Sequence, residues 1–268
     1  MITDILGYIG AFLMGISLGV IGGGGSIFSV PILVYIFGVN PVIATAYSLF
    51  IVGLTSLSGS INHIRLGNIN WKAVFFFGIP SITTVFITRT LLIPLIPDPV
   101  FVGTAMQVPK PTFFLLIFAG FMLAASFAMM RKSQIQKTED TKLNFFKITM
   151  AGFFEGSLTG LVGAGGGFLI IPALVLLGKV EMRKAIGSSL IIIAVKSLMG
   201  FMGDLHNDVV IDWKLLVTFA SVAIVGIMLG STFSTKISNE KLKPIFGYFV
   251  LVMAITILFK ELFLKYFI

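Results

Sequence analysis

The stretch GVIGGGGSIFSVP, Gly19 to Pro31, sets four consecutive glycines inside a run apolar enough to lie in lipid. Glycine is a poor helix former, and the hydrocarbon core offers no water to exposed backbone groups. Such a cluster therefore marks a helix break that protein, not lipid, surrounds. Contiguous glycines do not line one face of a helix, unlike the glycines four apart in GISLG (Gly15, Gly19) and GFFEGSLTG (Gly152, Gly156, Gly160). These last follow the small-xxx-small spacing of membrane helices, and close packing is the role expected of them.

Composition fixes the class. The chain has 268 residues, 57% hydrophobic and 11% charged, with a mean hydropathy of +1.05. A soluble domain of this length needs a charged surface that these residues cannot supply, and a membrane β-barrel needs alternating segments of ~10 residues. The chain instead offers continuous runs of the ~20 apolar residues that cross a bilayer. An all-α, polytopic membrane protein is expected. The formal net charge of +8 comes from basic residues between hydrophobic runs, where membrane orientation accounts for them, so no nucleic-acid role is assigned. There is no cysteine, which removes thiolate and iron–sulfur chemistry. The opening MITDILGYIG lacks the basic region and cleavage site of a signal peptide and reads as a retained helix.

Apolar segments fall at 3–22, 26–38, 42–62, 72–96, 111–130, 143–164, 167–178, 184–203, 213–235 and 242–264. Segments 26–38 and 167–178 each follow a glycine run and, at about 1.5 Å per residue, fall short of the ~30 Å core. They are expected to be re-entrant or broken helices beside about eight full spans. The polar stretch RKSQIQKTEDTK, 131–142, reads as a linker between a first transmembrane repeat, 1–130, and a second, 143–268. The halves are related. At a constant offset of 141, GGGGSIFSVPILV from Gly22 aligns with GAGGGFLIIPALV from Gly163, Ser48-Leu49 with Ser189-Leu190, Ser56-Leu57 with Ser197-Leu198 and Gly59 with Gly200. One inserted residue then brings Trp71-Lys72 onto Trp213-Lys214, and about a third of the ungapped core is identical.

Charge gives the orientation. Arg131, Lys132, Lys137 and Lys142 place the linker in the cytoplasm, as do Lys179, Arg183 and Lys184 for their loop and Lys236, Lys241 and Lys243 for theirs. The loop around Arg65 and Lys72 is also inside and its counterpart at 203–212 outside, so equivalent loops face opposite sides and the repeats are inverted, with both termini outside.

Inverted repeats with broken helices recur in secondary transporters, whose substrate sites lie at the breaks. The short helices are expected to begin at Ser26 and Gly167, and their free N–H groups favour an anion. The expected substrate site comprises Gly23, Gly24, Gly25, Ser26, Ser48, Gly165, Gly166, Gly167, Ser188 and Ser189, with Lys196 adding charge. Glu155 and His63 are candidates for coupling and gating. Lys196 and Glu155 lie inside predicted spans, where a charge costs ~2.5–3.5 kcal/mol. They form a site for an anion and a coupling proton, or a structural pair with each other, or else either snorkels to an interface. Met14 and Thr55 stand at the equivalent positions of the first half. Arg89 either snorkels to the outer surface or guides anions there. Asp204, His206, Asp208 and Asp212 have the ligand types for a divalent metal, but an acidic exterior loop explains them more simply and no metal or other cofactor is assigned. No nucleophile–base pattern suggests an enzyme.

The paired GGGG…P and GAGGG…P signatures, each followed by a small-Ser-Leu element (AYSL at 46–49, GSSL at 187–190), resemble the TauE/SafE sulfite exporter family, also called TSUP, over nearly the whole chain. The resemblance implies a multi-pass permease of the bacterial inner membrane. Its cargo would be a small anion such as sulfite, thiosulfate or the sulfonate sulfoacetate, with protons a candidate coupling ion. AYSL departs from the family's usual GTSL at Tyr47. An anion channel is the alternative, and a divalent-metal permease a weaker one.

Overall fold

Helix α1 (Ile2–Ile21) runs straight into the glycine cluster, and there the chain reverses. Gly22 adopts φ +73°, a left-handed conformation that only glycine takes at low cost. From it a 3₁₀ helix, Gly22–Phe28, leads into α2 (Ser29–Tyr35). The returning chain lies antiparallel along α1, with Gly25 against Leu18, Gly10 against Ile32 and Gly7 against Phe37. The segment is therefore re-entrant. Its helical structure starts at Gly22 rather than at Ser26, because the tight i→i+3 turn lets side-chain-free residues press on α1.

The computed structural model describes residues 2–97, 99–102, 106–130, 145–162, 167–205, 211–234 and 239–264. The first half continues with α3 (Pro41–Arg65) and α4 (Trp71–Ile87), which passes through a π turn, Thr88–Leu92, into the short α5 (Ile93–Leu95). A small antiparallel hairpin unforeseen in the sequence, β1 (Val100–Val102) with β2 (Met106–Val108), precedes α6 (Lys110–Met130). The second half repeats the plan. It has α7 (Phe145–Val162), a broken pair made of α8 (Gly167–Pro172) and a π turn (Ala173–Leu177), then α9 (Met182–Asp204), α10 (Trp213–Ser234) and α11 (Asn239–Leu258), which ends in a π turn (Phe259–Leu264). The linker at 131–142 lies outside the described residues. Equivalent helices start alike: Asn70 Oδ1 accepts from the Ala73 N–H at 3.1 Å, and Asp212 Oδ1 from the Leu215 N–H at 3.0 Å, each cap preceding a Trp-Lys pair.

Among the described residues, five helical stretches are long and apolar enough to cross a membrane, Thr3–Tyr35 counting as one of them. Helices α6, α7 and α11, with 21, 18 and 20 residues, complete the architecture. Helices α3 and α9 are central, about two-thirds and nearly three-quarters buried, against a third to under a half for the other spans. They cross antiparallel, with Leu49 against Gly200, Gly53 against Leu198, Gly59 near Leu190 and His63 against Gly187. Helices α1 and α10 run parallel, Gly15 on Ala223 and Gly19 on Gly230 and Ser231. So do α7 and α4, Gly152 on Phe77, Gly156 on Ser81 and Gly160 on Thr88. Because the internal offset carries α1 onto α7, α3 onto α9 and α4 onto α10, the α1–α10 and α7–α4 pairs are one contact made twice. The outward faces are apolar, with Ile5, Leu13, Phe75, Ile79, Leu91, Phe146 and Met228 all exposed, as a lipid-facing surface requires.

Lipid is as apolar as leucine, so helix association here rests on close packing through small residues. A Cβ on Gly15 would lie 2.1 Å from the Ala223 carbonyl oxygen, whereas one on Gly120 meets nothing within 4 Å. Gly15→Ala is expected to destabilise the protein by roughly 1–3 kcal/mol and Gly120→Ala to leave it as stable or more so by about 0.5–1 kcal/mol, read as thermal unfolding in detergent.

Candidate functional site

The two glycine breaks meet. A Cβ built on Gly23 would lie 2.4 Å from Gly167 backbone atoms, and one on Gly167 2.4 Å from the Gly23 Cα, so the two main chains touch where no side chain fits. Gly22, Gly23, Gly24, Gly25 and Ser26 are all buried. Serine hydroxyls surround the contact. Ser26 Oγ donates to the Gly23 carbonyl and Ser29 Oγ to the Ser26 carbonyl, both at 2.6 Å, while the Ser29 and Ser48 hydroxyls hydrogen-bond each other. Ser189 Oγ donates to the Ile186 carbonyl at 2.8 Å and lies 3.2 Å from the place a Gly22 Cβ would take. The fold thus gathers Gly23, Gly24, Gly25, Ser26, Ser48, Gly167 and Ser189, and adds Ser29. Ser29 was legible as one turn beyond Ser26, but its second-half equivalent is Ile170, so the repeat alignment passes over it. Gly165 and Gly166 lie outside the described residues.

Ser188 stands elsewhere. Its Oγ accepts the Asn70 N–H at 2.8 Å, tying α9 to the cap of α4. Tyr47, its equivalent at the offset of 141, accepts the Asp212 N–H at the cap of α10. The bulkier residue in AYSL therefore makes the same bond as the serine in GSSL. Each repeat fastens the helix cap of the other.

Lys196 and Glu155 form an ion pair with each other, 0% and 2% exposed. Glu155 also accepts from Ser81 Oγ and Thr159 Oγ1, both at 2.6 Å, and Lys196 Nζ donates to Thr159 Oγ1 at 3.1 Å. The carboxylate and ammonium are engaged within a network that joins α4, α7 and α9. His63, near the cytoplasmic end of α3 by the charge rule, is 2% exposed, and among the described residues neither ring nitrogen has a hydrogen-bond partner. Arg89 does not snorkel: it is 3% exposed and paired with Asp204 at 3.1 Å, a partnership that sequence spacing could not reveal.

Among the described residues no three His, Asp or Glu side chains converge on a metal position. Asp204 is engaged by Arg89 and Asp212 caps α10, while His206 and Asp208 lie outside the described residues. A cavity of about 550 Å³ opens beside α6, α7 and the 167–177 segment. Its walls are mainly apolar, Phe121, Met150, Phe154, Leu169 and Leu176 among them, with Lys147 and Glu155 the charged residues on the lining.

The comparisons agree with this architecture. Residues 8–258 match the family model for the sulfite exporter TauE/SafE. A "Probable membrane transporter protein" of Xylella fastidiosa is 29% identical over 256 residues, covering 93% of this chain and 92% of that one. Another of that description from Methanocaldococcus jannaschii is 27% identical over 262 residues, covering 92% of each. A relative from Bacillus subtilis, likewise described, is 29% identical over 230 residues, covering 85% of this chain and 87% of its own. Repeat signatures, helical architecture and near full-length similarity converge: the chain belongs to the sulfite exporter TauE/SafE family and is a multi-pass integral membrane transporter of that type.

Proposed function

We propose that the protein is a secondary-active exporter of a small anion, sulfite or an organosulfur anion, working by alternating access in the bacterial inner membrane. The observation that carries this reading is the contact of the first chain reversal, at Gly23, with the start of α8, at Gly167, wrapped in buried serines. Main-chain N–H groups and hydroxyls are donors without fixed charge, suited to an anion that must bind and then leave. The cargo is held between the breaks by Gly23, Gly24, Gly25, Ser26 and Ser48 on one side and Gly165, Gly166, Gly167 and Ser189 on the other. In the resting arrangement the serine hydroxyls bond to nearby carbonyls and to one another, bonds that the cargo exchanges for its own.

The halves act as inverted repeats. The support is directional: α1 reverses along α2, so α3 runs with α1 and α4 against it, whereas α10, the equivalent of α4, lies parallel to α1. The antiparallel crossing of α3 and α9 fits the same two-fold relation. Rocking about that crossing would open the glycine contact to each side in turn, with His63 at one mouth and protons as the coupling ion.

Two tests follow. Uptake of labelled sulfite, thiosulfate, sulfoacetate and acetate into proteoliposomes, with and without a proton gradient, should show gradient-driven accumulation of a sulfur anion. Gly23→Ala should abolish it in monodisperse protein, because the added methyl cannot fit against Gly167. Accumulation unchanged by Gly23→Ala would remove the glycine site, and flux without accumulation would make the protein a channel. In the second test, Lys196→Met is expected to cost about 3–5 kcal/mol of stability by stranding the Glu155 carboxylate. The double variant Glu155→Gln/Lys196→Met should recover most of that, as read in a double-mutant cycle of thermal unfolding.

A further inference from the structure

Arg89 has an arrangement that neither the glycine site nor helix packing explains. It sits in the π turn Thr88–Leu92, a widened turn of the kind that often marks functional positions, and is 3% exposed. Its Nη1 donates to Asp204 Oδ2 at 3.1 Å and Oδ1 at 3.4 Å, and to Thr45 Oγ1 at 3.2 Å. Among the described residues, the buried Nε and Nη2 have no hydrogen-bond partner. These two nitrogens share one edge of the guanidinium, where parallel N–H bonds match the paired oxygens of a carboxylate or sulfonate. A purely structural ion pair would use that edge. Asp204 instead takes the single nitrogen at the other end, which fixes the guanidinium plane and leaves the fork without a partner among the described residues. Buried donors left so carry an uncompensated desolvation penalty that a ligand would remove.

Asp204 ends α9 and Thr45 lies near the start of α3, at the opposite end of that helix pair from His63. Three residues on from Thr45, Ser48 hydrogen-bonds Ser29 in the glycine site. Gly160, which packs on Thr88, is the last described glycine before the second glycine run. The Thr45 contact thus sets Arg89 about one helical turn along α3 from Ser48 of the glycine site.

We propose that the Nε/Nη2 edge of Arg89 is a second anion site, a receptor for one oxyanion group with two oxygens in a plane: a sulfonate, sulfite or carboxylate. Asp204 is its positioning residue. Because Asp204 balances the charge of Arg89, the site reads oxygen geometry more than net charge. This site deepens the anion reading above and rests on it.

The test measures binding to the purified full chain in detergent, as thermal stabilisation titrated with sulfite, methanesulfonate or acetate. Thiocyanate, an anion without paired oxygens, is the control. Arg89→Lys keeps the charge and its partner Asp204 but loses the fork, and should weaken oxyanion binding by about tenfold or more, leaving thiocyanate unchanged. Asp204→Asn keeps an acceptor for Nη1 while removing the competing charge, and should tighten oxyanion binding. Wild-type affinity in Arg89→Lys overturns the site. If that variant does not fold, unchanged or weaker binding in Asp204→Asn overturns it. Anion accumulation in proteoliposomes alongside either result removes the Arg89 site alone. If the wild type neither binds nor carries any of these anions, the anion reading falls and this site with it.

Discussion

Two glycine backbones in contact, Gly23 on Gly167, constrain everything around them. For the contact to form, the end of α1 and the start of α8 must lie at the same depth, and the chain leaving α1 turns back there instead of crossing. Main-chain polar groups can survive at that depth only if protein encloses them, which the central pair α3 and α9 does from behind. The serines complete the enclosure by giving the 3₁₀ turn's carbonyls local donors. Since lipid offers no hydrophobic drive for helices to associate, the same logic of small residues recurs at Gly15, Gly19, Gly152, Gly156 and Gly160. At the first four, removal of a side chain lets two backbones approach, and at Gly160 it admits the Thr88 side chain.

The repeat is faithful where it holds the fold and departs where charge enters. Tyr47 and Ser188 differ in size and make the same bond to the opposite helix cap. By contrast, Met14 and Thr55 stand where Glu155 and Lys196 do, so the α1–α10 seam closes on apolar atoms and the α7–α4 seam on an ionic network. A buried pair adds little net stability over an apolar one but penalises any motion that separates its members. On the alternating-access reading, α7, α4 and α9 then move together, and the freedom to rock lies between that group and α1, α3 and α10.

How much of this was legible in the sequence depends on the range of each interaction. The glycine runs and the four-residue spacings are local patterns, and they disclosed the class, the first break and the packing glycines. The start of the first short helix was misplaced at Ser26 because glycine reads as a breaker, whereas Gly22–Phe28 is a 3₁₀ turn held by contact with α1. Ser188 was grouped with the cargo donors because it adjoins Ser189, yet one step along a helix turns a side chain by about 100°, which carries it to Asn70 instead. The Lys196–Glu155 pairing was one of two readings the residues allowed. The Arg89–Asp204 pairing joins positions 115 apart with no shared motif, and only the fold brings it out.

On the proposed reading, these features would divide selection from passage. A cradle of amide and hydroxyl donors carries no net charge, so it would discriminate poorly among small anions and release them readily. A guanidinium edge held in one plane is more demanding, because both N–H bonds are used only by oxygens at the right separation. Placing the demanding element at the end of α3 and α9, and the permissive one at the contact of the breaks, would let the protein choose its cargo before the step that moves it. Tight binding at the moving site would slow release, whereas tight reading at its entrance need not. The charge balance at Asp204 serves the same end, since a guanidinium with a resident carboxylate holds an anion by direction and lets it go more easily than a bare cation would.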